Sequence, residues 1–323
     1  MDQSLKETLA IIADGLADFE AAYRREVGGH AGLIGAMSDH ILSTPGKRIR
    51  PAMFLLSARV QGIEGPVAID AAVAIELIHT ATLLHDDVND GADQRRGKPA
   101  ANRIWGNLAA VLMGDHLFAK AFRVMVDCGD PRVLRAISVA SERVAVGELL
   151  QLQETRNFAV TESDYLRIIG DKTASLFAAS CEAGALADGN GAMGERFRAF
   201  GELVGVGFQI ADDLLDYVGD QKRTGKATGN DLEGGKVTLP LIFALRQAEP
   251  IGRQRILEML SGDGGDGLRE IVEFVRARGG FDYARRRAEE FRRQALALIA
   301  DVADSPYKRS LEALVQHSID RQA

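Results

Sequence analysis

Cysteine is nearly absent from this chain: Cys128 and Cys181 are its two thiols, too few for a disulfide framework and not spaced as C-x-x-C. That usage fits a reducing compartment, here the cytoplasm, and excludes a disulfide-stapled secreted fold. Proline is scarce, with 8 in 323 residues, and aromatics are 6%, so long stretches run without a breaker and no convincing strand pattern stands out. No run of about 18 uninterrupted apolar residues occurs, which excludes a spanning helix, and any membrane contact is expected to be peripheral. The opening MDQSLKETLAIIADGLADFE lacks the basic start and continuous apolar core of a signal peptide. A net charge of -7 argues against a nucleic-acid surface while leaving room for local basic pockets.

Apolar residues make up 46% of the chain, enough for a sizeable core, and recur at three-to-four spacing. Helices are expected at about 4–26, 30–43, 50–61, 67–90, 106–127, 131–154, 162–187, 194–219, 237–247, 252–260, 267–278, 281–302 and 306–318. The expectation is one all-α domain over 1–323, with the nearly all-apolar 67–90 stretch as its central buried helix. In ARRRAEEFRRQ, Arg285 with Glu289 and Arg286 with Glu290 stand at i, i+4, which reads as a solvated helix face. The glycine-rich 261–267 segment reads as a plain connection. The segment 220–236, DQKRTGKATGNDLEGGK, is rich in glycine and lysine and suits closure over an anion.

Two aspartate clusters share the spacing D-D-x-x-D: Asp86, Asp87 and Asp90 in LLHDDVND, and Asp212, Asp213 and Asp216 in FQIADDLLDY. Both follow apolar helical stretches, where an unpaired buried carboxylate costs several kcal/mol or neutralises. At about 100° per residue, the first and last aspartates of each cluster share one face, roughly 6 Å apart along the axis. Carboxylate oxygens without His or Cys suit a hard cation, and Mg²⁺ takes one or two carboxylates, waters and phosphate oxygens. The ligand expected from these residues is a Mg²⁺-bound diphosphate.

Cations flank both clusters: Arg95 and Arg96 follow the first, Lys226 and Lys236 the second. Further basic segments are PGKRIRP, with Lys47, Arg48 and Arg50, and GDKT, with Lys172 and Thr173; each alone reads as ordinary surface, but glycine or proline beside clustered cations suits a diphosphate clamp. His79 and Thr82, seven and four residues before Asp86, lie near its stripe and are expected to face the cavity. Gln209, Asp212, Asp213 and Asp216 form one polar stripe at i, i+3, i+4, i+7, expected to face a wet cavity.

GKRIRP, HTATLLHDDVND with RRGKP, GDKT, FQIADDLLDY and GKATGNDLEGGKVTLP, in this order, make the chain resemble the all-trans polyprenyl diphosphate synthases over nearly its whole length. The resemblance implies an isoprenoid-synthase-type helical bundle around a deep cavity, a homodimer, Mg²⁺, and two substrates, an allylic diphosphate and isopentenyl diphosphate. It implies that Asp86, Asp90, Asp212 and Asp216 reach the metal ions, with Asp87 and Asp213 supporting them. Arg95, Lys172, Thr173, Gln209, Lys226 and Lys236 would contact the allylic substrate; Lys47, Arg50, His79 and Arg96 would hold isopentenyl diphosphate. Asn89 and Gly91 depart from the family pattern, which has an aliphatic residue and a larger one there.

The resemblance also bears on product length. Ala81 and Thr82 stand where short-chain relatives carry bulky aromatics, so the path for a growing tail is open; Asp115, Phe118, Phe122 and Met125 share a helical stripe with Met125 about 15 Å from Asp115, a deep floor. A medium-to-long all-trans product is expected, octaprenyl first within a heptaprenyl-to-decaprenyl range, with a geranylgeranyl or farnesyl product as the shorter alternative. Rival readings are a terpene cyclase or head-to-head condensing enzyme, a non-catalytic partner subunit, and a di-iron bundle. The last rests on the Glu76-x-x-His79 pair alone, where that fold uses two such pairs.

Overall fold

The computed structural model describes residues 3–44, 46–62, 69–186, 191–218, 229–261 and 267–319. In chain order the helices are α1 (Gln3–Leu9), a 3-10 turn (Ala10–Ile12), α2 (Ala13–Val27), α3 (Gly32–Leu42), α4 (Ile49–Val60), α5 (Asp70–Asn89), α6 (Ala101–Trp105), α7 (Asn107–Asp127) and α8 (Pro131–Glu154). There follow α9 (Glu162–Ile169), a π-turn (Gly170–Ala174), α10 (Ser175–Ala185), α11 (Gly191–Val218), α12 (Asn230–Glu233), α13 (Leu239–Arg246), α14 (Pro250–Ser261), α15 (Leu268–Ala277), α16 (Gly280–Leu298) and α17 (Pro306–Ile319). The fold is all-α. No helix among the described residues is long and apolar enough to cross a membrane.

The chain divides into two compact units, one of residues 1–141, 176–201 and 298–314, the other of 142–175, 202–297 and 315–323. In the first, α5 packs chiefly on α7 and also on α2 and α4. Gly114 permits that approach, since a Cβ there would lie 2.2 Å from His85 Nε2. The run Pro51–Ala58 of α4 and the run Ala71–Ile78 of α5 are wholly buried, which is why those segments carry apolar residues nearly all round. In the second unit Leu214, Tyr217, Leu241, Leu245, Val275 and Phe281 form the core.

The structure corrects four local expectations. A two-stranded antiparallel ladder, β1 (Gln94–Arg95) with β2 (Lys98–Pro99), occupies the RRGKP segment, where no strand was expected. Its connecting residues Arg96 and Gly97 have φ of 53° and 77°, the paired left-handed conformations that a two-residue hairpin turn needs. The helix expected over 162–187 is broken by the π-turn at GDKTA. On α16, Arg285 and Arg286 do not pair with Glu289 and Glu290; Arg285 pairs with Asp282, Arg287 with Glu290 and Arg292 with Glu289, because the i, i+3 spacing brings these forks closer. Finally, Phe122 is 51% exposed while Met125 is 1% exposed, so the two do not line one interior wall. The 220–236 segment lies outside the described residues up to 228, Lys226 included, as does 262–266 of the glycine-rich connection.

Candidate active site

The first unit carries one aspartate cluster at the end of α5. Asp90 is the helix C-cap, and Gly91, at φ 60°, takes the left-handed position after it. Gly91 N–H donates to Val88 O (3.2 Å) and Ala92 N–H to Asp87 O (2.9 Å), the double closure of a Schellman end. That accounts for Gly91: a side chain there would strain the turn that fixes the D-D-x-x-D segment. Asn102 Nδ2 donates to the same Asp87 carbonyl at 3.1 Å and to Ala92 O at 3.2 Å.

Asp86 is half-buried and Asp90 exposed, one turn apart at the negative end of the helix dipole, where carboxylates are disfavoured unless a cation joins them. Asp87 instead points inward, 3% exposed, and its Oδ1 accepts Arg95 Nε at 2.9 Å and Arg95 Nη2. The hairpin that carries Arg95 is tied to the segment before GKRIRP: Arg96 Nη1 donates to Thr44 O at 3.0 Å, and Lys98 Nζ to Ser43 O at 2.8 Å. Two regions far apart in the chain, 43–44 and 86–102, thus meet here.

Within GKRIRP the roles diverge. Arg48, at φ 55°, turns into the protein to donate to Glu76 Oε1 (2.8 Å) and Glu20 Oε2 (3.0 Å), over the Tyr23 ring at 4.6 Å. That pairing also removes Glu76 from any metal-binding Glu-x-x-His role. Lys47 is exposed. Arg50 stacks on Phe177 at 4.6 Å, and its Nε is shut off from solvent with no hydrogen-bond partner. Burial pulls its guanidinium down to about 10, so it stays charged at neutral pH while short of a partner, which favours an incoming anion.

His79 lies with Arg48, Arg95, Arg96, Glu76 and Asp87 around a cavity of about 60 Å³. Thr82 donates to His79 O at 2.8 Å, and Ala81 is fully buried. Burial first, then Arg50, Arg96, Arg95 and Arg48, hold the His79 imidazole well below its usual 6.5. It is therefore neutral in the fold, whereas in the unfolded chain it takes up a proton as pH falls through 6.5. Below that value the unfolded state binds more protons, so this contribution to stability is lost as pH drops. The melting temperature of wild type should accordingly fall relative to His79→Gln between about pH 6.5 and 5. A constant difference across that window would mean that the imidazole titrates alike in the folded and unfolded states, and a shift in favour of wild type that the folded imidazole is charged.

The second unit carries the other aspartate cluster on α11. Asp212 and Asp216 are half-buried and one turn apart in its last two turns. Asp213 is 6% exposed and saturated: Tyr165 Oη donates to its Oδ2 and Gln209 Nε2 to its Oδ1, both at 2.6 Å. The expected single wet stripe is thus split, with Asp213 turned to the interior because two donors wait there. Burial and then the charge of Asp231 push its carboxyl well above the usual range. Thr173 Oγ1 donates to Gln209 Oε1 at 2.8 Å, and Lys172 pairs with Glu148. Asp216 Oδ2 accepts Asp231 N–H at 3.0 Å, and Lys236 Nζ stands 3.9 Å from Asp231.

Among the described residues no group of three or more His, Cys, Asp or Glu converges on a single metal position. The donor chemistry nonetheless fits a hard divalent ion that meets one or two carboxylates from the protein and draws its remaining oxygens from substrate phosphate and water. Tyr165, Asn102 and Glu148 were not singled out in the sequence, because nothing local marks which distant carboxylate, carbonyl or ammonium group each will meet.

The polyprenyl synthetase family model matches residues 32–275. The chain is 38% identical over 320 residues to octaprenyl diphosphate synthase of Escherichia coli (strain K12), covering 98% of this chain and 99% of that one. It is 37% identical over 317 residues to all-trans-nonaprenyl-diphosphate synthase (geranyl-diphosphate specific) of Rhodobacter capsulatus, covering 98% of each. The structure is similar to that of polyprenyl synthase from Caulobacter crescentus CB15, solved with calcium and isoprenyl diphosphate, at TM-score 0.93 and 35% identity, covering 99% of this chain and 98% of that one.

Proposed function

The chain belongs to the polyprenyl synthetase family and is a trans-prenyltransferase of long all-trans chains, and on that premise we propose that it condenses an allylic diphosphate with successive isopentenyl diphosphates, dependent on Mg²⁺, to an octaprenyl diphosphate. The observation that carries this reading is the near-full-length similarity to an octaprenyl diphosphate synthase, joined to two intact D-D-x-x-D turns. The two compact units are read as parts of one catalytic domain, working in the cytoplasm and releasing product through peripheral contact with a membrane.

Asp86, Asp90, Asp212 and Asp216 are assigned to the metal ions, with Asp87 and Asp213 as their buried supports. Bound Mg²⁺ would compensate charge on the leaving diphosphate. The allylic diphosphate is assigned to Arg95, Lys172, Thr173, Gln209, Lys226 and Lys236, whose positive charges and donors stabilise the leaving group as the allylic C–O bond ionises. Lys47, Arg50, His79 and Arg96 are assigned to isopentenyl diphosphate, holding its double bond against the carbocation. Loss of a proton to the departing diphosphate then restores an allylic product five carbons longer. Incubation of the purified chain with farnesyl diphosphate, radiolabelled isopentenyl diphosphate and Mg²⁺, followed by chromatography of the dephosphorylated products, tests this. Diphosphate release without isopentenyl diphosphate would point to a cyclase, and no turnover by the chain alone to a partner subunit.

A homodimer is part of the same proposal. Leu108, Leu112, Phe122 and Val126 are 74%, 57%, 51% and 65% exposed and share one face of α7, an apolar stripe that water alone would not favour. Light scattering should give twice the 34.8 kDa of the chain, and Leu112→Glu should shift it toward monomer. A monomeric wild type at micromolar concentration would remove the dimer from the proposal.

A further inference from the structure

The π-turn Gly170–Ala174 presents Lys172 and Thr173, and it is held in place from α8, the helix that also carries Glu148, the ion-pair partner of Lys172. Gly147 lies directly under it: a Cβ there would come 2.3 Å from Lys172 N and 2.8 Å from Lys172 Cα, so the two backbones touch. One turn earlier on α8, Arg143 spreads its fork over the start of the π-turn. Its Nε donates to Asp171 Oδ1 at 2.8 Å and its Nη2 to Gly170 O at 3.1 Å. Nη1 and Nη2 also donate to the two carboxylate oxygens of Glu202 on α11, at 2.7 and 2.6 Å. Glu202 and Gln209 lie on the same helix, seven residues apart, so α11 anchors the guanidinium at one point and meets Thr173 at another.

A π-turn widens the helix and is stable only where its surroundings hold it. Here Ser175 Oγ donates to Asp171 O at 2.6 Å, and Arg143 donates to Gly170 O and to the Asp171 carboxylate. We propose that Arg143 is a positioning residue for chain elongation: it clamps the π-turn between α8 and Glu202 so that Lys172 and Thr173 are set for the allylic diphosphate. Arg143 itself touches no substrate in this account. The proposal rests on the assignment of Lys172 and Thr173 to that substrate.

Lysine cannot reproduce a planar fork that serves Asp171, Gly170 and Glu202 together. Arg143→Lys and Arg143→Gln should therefore raise the KM for farnesyl diphosphate about 10-fold, in the range seen when groups that orient a ligand are lost, and leave the KM for isopentenyl diphosphate unchanged. Calorimetric binding of the unreactive farnesyl S-thiolodiphosphate with Mg²⁺ should weaken in parallel. Gly147→Ala, which displaces the turn without touching the fork, should give the same signature; if it does not fold, the two Arg143 variants suffice. A purely structural Arg143 would lower the melting temperature and the active fraction with both KM values unchanged, and that result overturns the proposal. Lys172→Ala is the control. If it raises the farnesyl KM while Arg143→Gln does not, the positioning role fails and the assignment of Lys172 stands; if Lys172→Ala leaves that KM unchanged, the assignment fails and the proposal with it.

Discussion

Alanine at Asp86 or at Asp212 is expected to cut turnover by roughly 10³-fold or more, since a metal ion at a leaving diphosphate supplies several kcal/mol of charge stabilisation. The helical fold should survive. Asp86 lies in the last turn of α5, which ends at Asn89, where the dipole disfavours a carboxylate by about 0.3–1 kcal/mol, and Asp212 stands one turn from the like charge of Asp216 on α11. Without Mg²⁺ each variant should therefore melt no lower than wild type. Circular dichroism and calorimetry check that half of the expectation, and steady-state kinetics the other. Near-normal turnover of either variant at saturating Mg²⁺ would sink the metal assignment. Asp87→Ala and Asp213→Ala should behave differently, losing stability as well, because each leaves buried donors without their acceptor: Arg95 in one case, Tyr165 and Gln209 in the other.

Phenylalanine at Ala81 should shorten the product sharply, toward three or four isoprene units. Ala81 is wholly buried on α5, five residues and about 7.5 Å before Asp86, so a ring there projects into whatever space the site keeps for the growing tail. If no such space exists, the ring overpacks the core instead, at a cost of about 1–3 kcal/mol, and the melting temperature falls with product length unchanged. Met125→Ala reads the opposite end. Met125 is 1% exposed, so truncation should cost about 2–5 kcal/mol as a core cavity in any case. A longer product would make Met125 a floor of the tail path; an unchanged one would leave it plain core. Chromatography of dephosphorylated products decides both, and a wild-type product of only three or four units would refute the open path.

Product length is hard to read from the chain because it depends on where side chains along a helix point. Phe122 and Met125 differ by three residues and share a stripe on a helical wheel, yet one is half exposed and the other buried. A wheel gives angles about one axis; burial depends on which neighbours cover that angle. The same limit explains the salt bridges of α16, where spacing allowed two i, i+4 pairs and the forks chose i, i+3 partners instead.

Composition and spacing alone determined that this chain is helical, that α5 is buried, and that it carries two D-D-x-x-D turns with flanking cations, since periodicity and the one-turn repeat of i, i+4 are local properties. Only the tertiary structure decided what each of these residues does. It turned Arg48 inward to Glu20 and Glu76 while stacking Arg50 on Phe177 with its buried Nε unpaired, and it folded RRGKP into a hairpin docked on residues 43 and 44. It also buried the middle aspartate of each cluster against its own donors and broke a helix at Lys172 to rest on Gly147. Each of these depends on groups that are distant in sequence, and a hydrogen bond or an ion pair is settled by which partner the packing brings within about 3 Å, which no local pattern encodes.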